Sequence, residues 1–128
     1  MIRNIYHRGI ITVFLCLSIL EIQAQSWLNV MDFGAKKDST GMNTLAIKKA
    51  IATASNKGGG TVYFPAGKYI TGPIHLKSNI TIFIDAGAEL HFSDNFDDYL
   101  PMVESRWEGT AVTNFSPLFY GNNLENIS

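Results

Sequence analysis

Cysteine is almost absent: the single one among 128 residues is Cys16, inside an apolar run near the N-terminus. A disulfide framework is therefore excluded. Arginine is scarce too, with Arg106 the only one after residue 24. A nucleic-acid binder concentrates basic charge beside stacking aromatic residues, and the chain has no such pattern. Gly58-Gly59-Gly60 follows a helical pattern instead of opening one, and no Lys-Ser/Thr pair comes after it. That sets a phosphate-cradling loop aside. A hydrophobic run of the roughly 20 residues a membrane-spanning helix requires is also missing.

The longest uncharged apolar run covers residues 10–20, follows Arg3, His7 and Arg8, and leads to a small residue at Ala24. A basic flank, a short apolar core and a small residue at the end predict a secretory signal over residues 1–24, cleaved after Ala24, and hence export to the periplasm or the extracellular space. Leu15 before Cys16 argues against a lipid-modified cysteine. Nothing in the remainder predicts a membrane association. Residues 25–128 carry eight Lys/Arg and ten Asp/Glu, a net charge of −2. The signs are segregated, with seven lysines and two aspartates over residues 25–84 and one arginine and eight acids over residues 85–128. The lysines read as a solvated face.

What the chain does have is a close succession of β-type runs over residues 58–92. Thr61-Val62-Tyr63-Phe64, Lys68-Tyr69-Ile70-Thr71, Ile74-His75-Leu76, Ile80-Thr81-Ile82-Phe83-Ile84 and Glu89-Leu90-His91-Phe92 alternate with turn formers such as Pro65-Ala66-Gly67, Gly72-Pro73 and Asp85-Ala86-Gly87-Ala88. Short strands joined by tight bends, with no helix between them, suit a sandwich or a coiled β-solenoid. Asn79-Ile80-Thr81 returns as Asn126-Ile127-Ser128, the pattern of stacked rungs with asparagine at a bend and an aliphatic inside. Alternation predicts that Val62, Phe64, Ile80, Ile82 and Ile84 point inward. Ahead of the strands, Asn43 or Thr44 caps a helix over residues 43–56 in which Ala46, Ile47, Ala50, Ile51 and Ala54 form one apolar stripe, and the glycines end it. Such a helix covers the open end of a solenoid. Past Phe92 the pattern loosens into a long acidic, turn-rich excursion through Arg106-Trp107-Glu108-Gly109, the kind of loop that carries binding residues on a repeat scaffold.

Asp32-Phe33-Gly34-Ala35, the helix stripe, residues 58–67 and Ile84-Asp85-Ala86-Gly87-Ala88 resemble the N-terminal part of the right-handed parallel β-helix enzymes of the pectin-degrading superfamily. Tyr99-Leu100-Pro101, Arg106-Trp107-Glu108-Gly109 and Ser116-Pro117-Leu118-Phe119-Tyr120 are similar to polygalacturonases of glycoside hydrolase family 28. The resemblance covers nearly all of residues 28–128. It implies an all-β fold, a right-handed parallel β-helix of the pectin-lyase type opened by a capping helix, and a pectin or homogalacturonan substrate hydrolysed with inversion at α-1,4-galacturonosyl bonds. It implies no cofactor and no metal.

The family's Asn-Thr-Asp, Asp-Asp, Gly-His-Gly and Arg-Ile-Lys segments are not found in the chain, and Asp97-Asp98 matches by letters only, ahead of the position such a pair should have. Inverting hydrolysis needs two carboxyl groups roughly 6.5–9.5 Å apart, one as acid and one as base. No catalytic residue is therefore assigned, and the chain is expected to lack C-terminal rungs and to be inactive alone. Glu104 and Glu108 are not paired as acid and base, and His75 and His91 read as packed or surface histidines. The candidate substrate-binding residues are Arg106, Trp107 and Glu108: a guanidinium for a uronate carboxylate beside a ring for a sugar face. The competing reading has Trp107 anchoring the loop while Arg106 pairs with Glu104 or Glu108. For the whole chain, the alternative to a hydrolase segment is a non-catalytic β-helix cap that contacts carbohydrate. The sequence makes no prediction about oligomeric state.

Overall fold

The computed structural model describes residues 26–128, so the expected signal over residues 1–24 lies outside the described residues. Strands β1 (Trp27–Asn29), β3 (Gly60–Phe64) and β6 (Ile80–Ile84) pair in parallel as one sheet. Strands β2 (Asp38–Met42), β4 (Gly67–Thr71) and β7 (Ala88–Phe92) form a second, and β5 (Ile74–His75) with β10 (Phe119–Tyr120) a third, again all parallel. Each circuit of the chain adds one strand to the first and second sheets, and the second and third circuits also add one to the third, so the strands coil as rungs of a parallel β-helix. Parallel neighbours with no helical crossover between β3 and β6 can be joined only by such winding.

The register follows from what the interior has to hold. Leu28, Val62 and Ile82 share one column, and Phe64 stands over Ile84. Val62, Phe64 and Ile80 are fully buried and Ile82 is half-buried, while Ile84 is 44% exposed. Ile84 keeps the inward register of Phe64 but loses its burial because no strand among the described residues pairs beyond it. Tyr69 is buried edge-on to Phe64, its hydroxyl donating to Pro65 O at 2.8 Å. That bond supplies the partner a buried phenol requires.

Helix α1 (Thr44–Asn56) interrupts the first circuit between β2 and β3. Ala46, Ile47, Ala50, Ile51 and Ala54 are all buried against the short 3-10 turn at Val30–Phe33 and against β1, β3, β5 and β6. The alanines let the helix approach closely, and Ile47 and Ile51 contribute about 1.5–3 kcal/mol each by burial. The helix thus covers the end of the solenoid. Its expected side-chain cap differs: Asn43 holds the N-cap position, but its side chain bonds no helix N–H. Instead its buried amide accepts from Lys36 N at 2.7 Å and donates toward the carbonyls of Lys36, Gly41 and Ile70. Fastening the chain before the helix to β4 satisfies three carbonyls and one N–H. Thr44 Oγ1 then accepts from Gly72 N at 2.7 Å. At the far end Gly58 takes φ +88°, and Gly59 N donates to Ala54 O at 2.9 Å. This is the left-handed stop the glycine run predicts.

The excursion between β7 and β10 is ordered. A 3-10 turn at Phe96–Tyr99 is followed by β8 (Val103–Trp107) and β9 (Thr110–Asn114), an antiparallel hairpin. Its two-residue turn, Glu108-Gly109, has φ +47° and +87°, which matches the twist of the flanking strands. The expected loop thus carries a regular two-stranded ribbon. Its base is closed where Ser116 N donates to Tyr99 O at 3.2 Å and Tyr99 Oη donates to Ser93 O at 2.6 Å.

Candidate functional site

Where the hairpin leaves the solenoid it stands over the β10 end of the third sheet, and a cleft of about 620 Å³ opens between them. Glu104, Arg106 and Thr113 contribute from the hairpin, and Phe119, Tyr120 and Asn122 from the sheet and the turn after it. Tyr120 Oη reaches Glu104 O at 3.5 Å, so the two walls touch. The Tyr120 ring is also packed 5.3 Å from the imidazole of His75, its partner in register on β5.

Arg106 has one hydrogen bond within the described residues, Nη2 to Gly109 O at 3.3 Å. It forms no ion pair with Glu104 or Glu108; the ion pairs among the described residues are Lys68–Glu89 at 3.6 Å and His91–Glu89 at 2.8 Å, on the second sheet. A guanidinium carries five donors in a planar fork. With one of them lightly engaged, Arg106 keeps a bidentate edge for a carboxylate.

Arg106, Trp107 and Glu108 are not brought together. Period-two alternation along β8 sends Trp107 to the face of the hairpin opposite Arg106, where it is 71% exposed and outside the cleft lining. It does not anchor the ribbon to the solenoid. Glu108 sits in the turn and also lies outside the lining. The ring that accompanies Arg106 is Tyr120, a residue sequence reasoning placed only in a motif. Its signal was positional: it ends the short β run at which the excursion returns to the third sheet.

His75 is exposed, as a surface histidine should be, but it is also tethered. Its Nε2 lies 3.2 Å from Oγ of Ser116, a residue only 5% exposed, and the same hydroxyl donates to Pro117 O at 3.2 Å. Glu104 is the one carboxylate in the cleft lining among the described residues, so the paired acid and base of an inverting hydrolase are not assembled there. Among the described residues no group of three or more His, Cys, Asp or Glu side chains is placed to hold a metal, and no helix is long and apolar enough to cross a membrane.

Residues 27–126 match the family described as "Rhamnogalacturonase A/epimerase, pectate lyase-like". The crystal structure of a hyperthermoactive exopolygalacturonase from Thermotoga maritima superimposes with a TM-score of 0.77 at 38% identity, over 81% of this chain and 23% of that one. A probable polygalacturonase of Vitis vinifera is 30% identical over 94% of this chain and 26% of its own length. A mannuronan C5-epimerase, AlgE5, of Azotobacter vinelandii is 38% identical over 78% of this chain and 11% of its own. The chain spans about a quarter or less of the length of these relatives.

Proposed function

The chain belongs to the rhamnogalacturonase A/epimerase, pectate lyase-like family, and from that membership we propose that it is the polygalacturonase-like segment of an exported glycoside hydrolase acting on pectin. In this reading residues 1–24 direct export. The segment supplies the capping helix, the first rungs and one wall of the substrate cleft. The two carboxylates that protonate the leaving oxygen and activate water come, in this reading, from residues outside the matched span, since Glu104 is the one carboxylate in the cleft lining among the described residues.

The observation that carries the proposal is the free edge of the Arg106 guanidinium across from Tyr120. A polygalacturonate carries one carboxylate per sugar. Arg106 takes that carboxylate bidentately while the phenol ring meets a sugar face, a pairing of planar charge recognition with an apolar surface. Trp107 and Glu108 enter the proposal through the hairpin's shape and not through the cleft lining.

Isothermal titration with trigalacturonate tests it. Arg106→Ala is expected to weaken binding by about tenfold to a hundredfold, the range for losing a charge-assisted hydrogen-bonded pair, with the melting temperature unchanged. A lowered melting temperature with unaltered affinity overturns the assignment. The match to the Azotobacter epimerase makes a trimer of mannuronate the informative second probe. Tighter binding of that trimer than of trigalacturonate moves the substrate class from pectin to alginate while leaving Arg106 its role.

A further inference from the structure

We propose that His75, which lies outside the cleft lining but beside Tyr120 at its margin, is a second glycan-contacting residue, accepting a hydrogen bond at Nδ1 from a hydroxyl of a sugar that extends past Tyr120; the inference rests on the carbohydrate reading above. Three observations converge on it. His75 is exposed and adjoins Tyr120 on the outer side of the third sheet, ring centroids 5.3 Å apart. Tyr120 lines the cleft. The imidazole Nε2 lies 3.2 Å from the hydroxyl of Ser116, which is buried.

In this proposal the tautomer is assigned from the Ser116 contacts. The Ser116 hydroxyl has a single proton, and Pro117 O, 3.2 Å away, can only accept. In the proposed arrangement the proton is donated there and the hydroxyl offers a lone pair to His75, which places the ring hydrogen on Nε2 and leaves Nδ1 as the acceptor. Among the described residues the side-chain hydrogen bond of His75 is the one at Nε2, and Nδ1 has no partner. An acceptor beside an aromatic ring suits the hydroxyl edge of a pyranose, whereas Arg106 suits its carboxylate. The two residues thus read different groups on the ligand.

Two substitutions separate contact from support. Gln places its polar group where Nε2 stands, so His75→Gln keeps the Ser116 bond and removes the outward acceptor. Asn places its group where Nδ1 stands, so His75→Asn keeps the acceptor and gives up the tether. For trigalacturonate, His75→Gln is expected to weaken binding about threefold to tenfold, one neutral hydrogen bond's worth, while His75→Asn stays within about twofold of the parent. The same ratio is expected with fully methyl-esterified trigalacturonate, because His75 meets a hydroxyl; the Arg106→Ala effect should disappear there. Equal binding by His75→Gln and the parent overturns the inference while leaving the uronate reading intact. So does an equal loss in both His75 variants, which would make the residue a support for Tyr120. Absence of trigalacturonate binding by the parent protein overturns both the reading and the inference.

Discussion

Asn126 stacks on Asn79 across 47 residues of chain, its Nδ2 donating to Asn79 Oδ1 at 2.8 Å, with both backbones left-handed at φ +53° and +64°. Backbone bonds flank the pair: Asn79 N donates to Glu125 O at 2.9 Å, Ile82 N to Ser128 O at 2.8 Å, and Gly60 N to Asn79 O at 3.0 Å. The excursion carrying the hairpin therefore closes back onto the rung it left. No room exists for a third asparagine one rung earlier, since a Cβ on Gly59 would lie 2.8 Å from Asn79 Cβ. The corner demands a residue that tolerates left-handed φ, and Asn also supplies the ladder bond. Asn79→Ala is expected to cost about 1–2 kcal/mol, and about 4–8 °C of melting temperature for each of those, whereas Asn79→Gly keeps the backbone at ease and costs less than half as much. Thermal melts followed by circular dichroism decide it. Equal losses in the two variants would assign the stability to the side-chain bond.

How much of this was legible depended on whether the signal was local. The helix stripe, the glycine stop and the inward column through Val62, Phe64 and Ile80 were readable because period 3.6 and period 2 are properties of neighbouring residues. The Asn79 and Asn126 repeat was readable as letters. The hairpin was not. Glu108-Gly109 is a weak turn signal beside the Asn-Gly or Asp-Gly that two-residue turns favour, and Arg106 and Trp107 read as a side-by-side pair until β8 turned their side chains apart. Tyr120 and His75 become neighbours only through the winding of the third sheet, which brings residues 45 apart in sequence into one register. Ile84 shows the opposite failure: its direction was legible, but its burial depends on what covers the rung.

Acid should weaken the outer face of the first sheet. Tyr63 Oη donates to Asp85 Oδ2 at 2.5 Å within an aromatic cluster of Trp27, Tyr63 and Phe83, whose ring centroids are 5.4–5.9 Å apart. That bond, and then the Ala86 N–H, hold the Asp85 carboxyl below its ordinary value of 3.8. The same bond raises the Tyr63 phenol above 10.0. A depressed acid contributes stability above its unfolded value and loses it as pH falls through the folded one. A raised phenol contributes below its unfolded value and loses it as pH rises through the folded one. The bond is therefore complete between about pH 4 and pH 10. Tyr63→Phe should melt below the parent across that window, and the gap should narrow below pH 4. A gap independent of pH down to pH 2 would mean that ring packing and not the carboxylate sets the difference.

The turn of the hairpin tests whether Glu108 belongs to ligand or to backbone. Glu108 holds φ +47°, a region where a long side chain is disfavoured and asparagine is at ease, and the following residue is already the glycine that such a turn prefers. Its carboxylate makes no ion pair in the described residues and lies outside the cleft lining. Glu108→Asn creates the preferred Asn-Gly turn, so it is expected to stabilise the ribbon by a few tenths of a kcal/mol up to about 1 kcal/mol, read as slower amide exchange at the hydrogen-bonded cross-strand pair of Ser105 and Val112. Trigalacturonate affinity should hold or rise slightly, since a stiffer ribbon presents Arg106 with less ordering left to do on binding. Removing an acid from beside a polyanion's path works in the same direction, and salt separates the two effects: a gain from charge fades between low and physiological ionic strength, and a gain from stiffness persists. If Glu108→Asn instead lowers affinity while slowing exchange, the carboxylate itself touches the ligand, and the turn residue joins Arg106 as a contact.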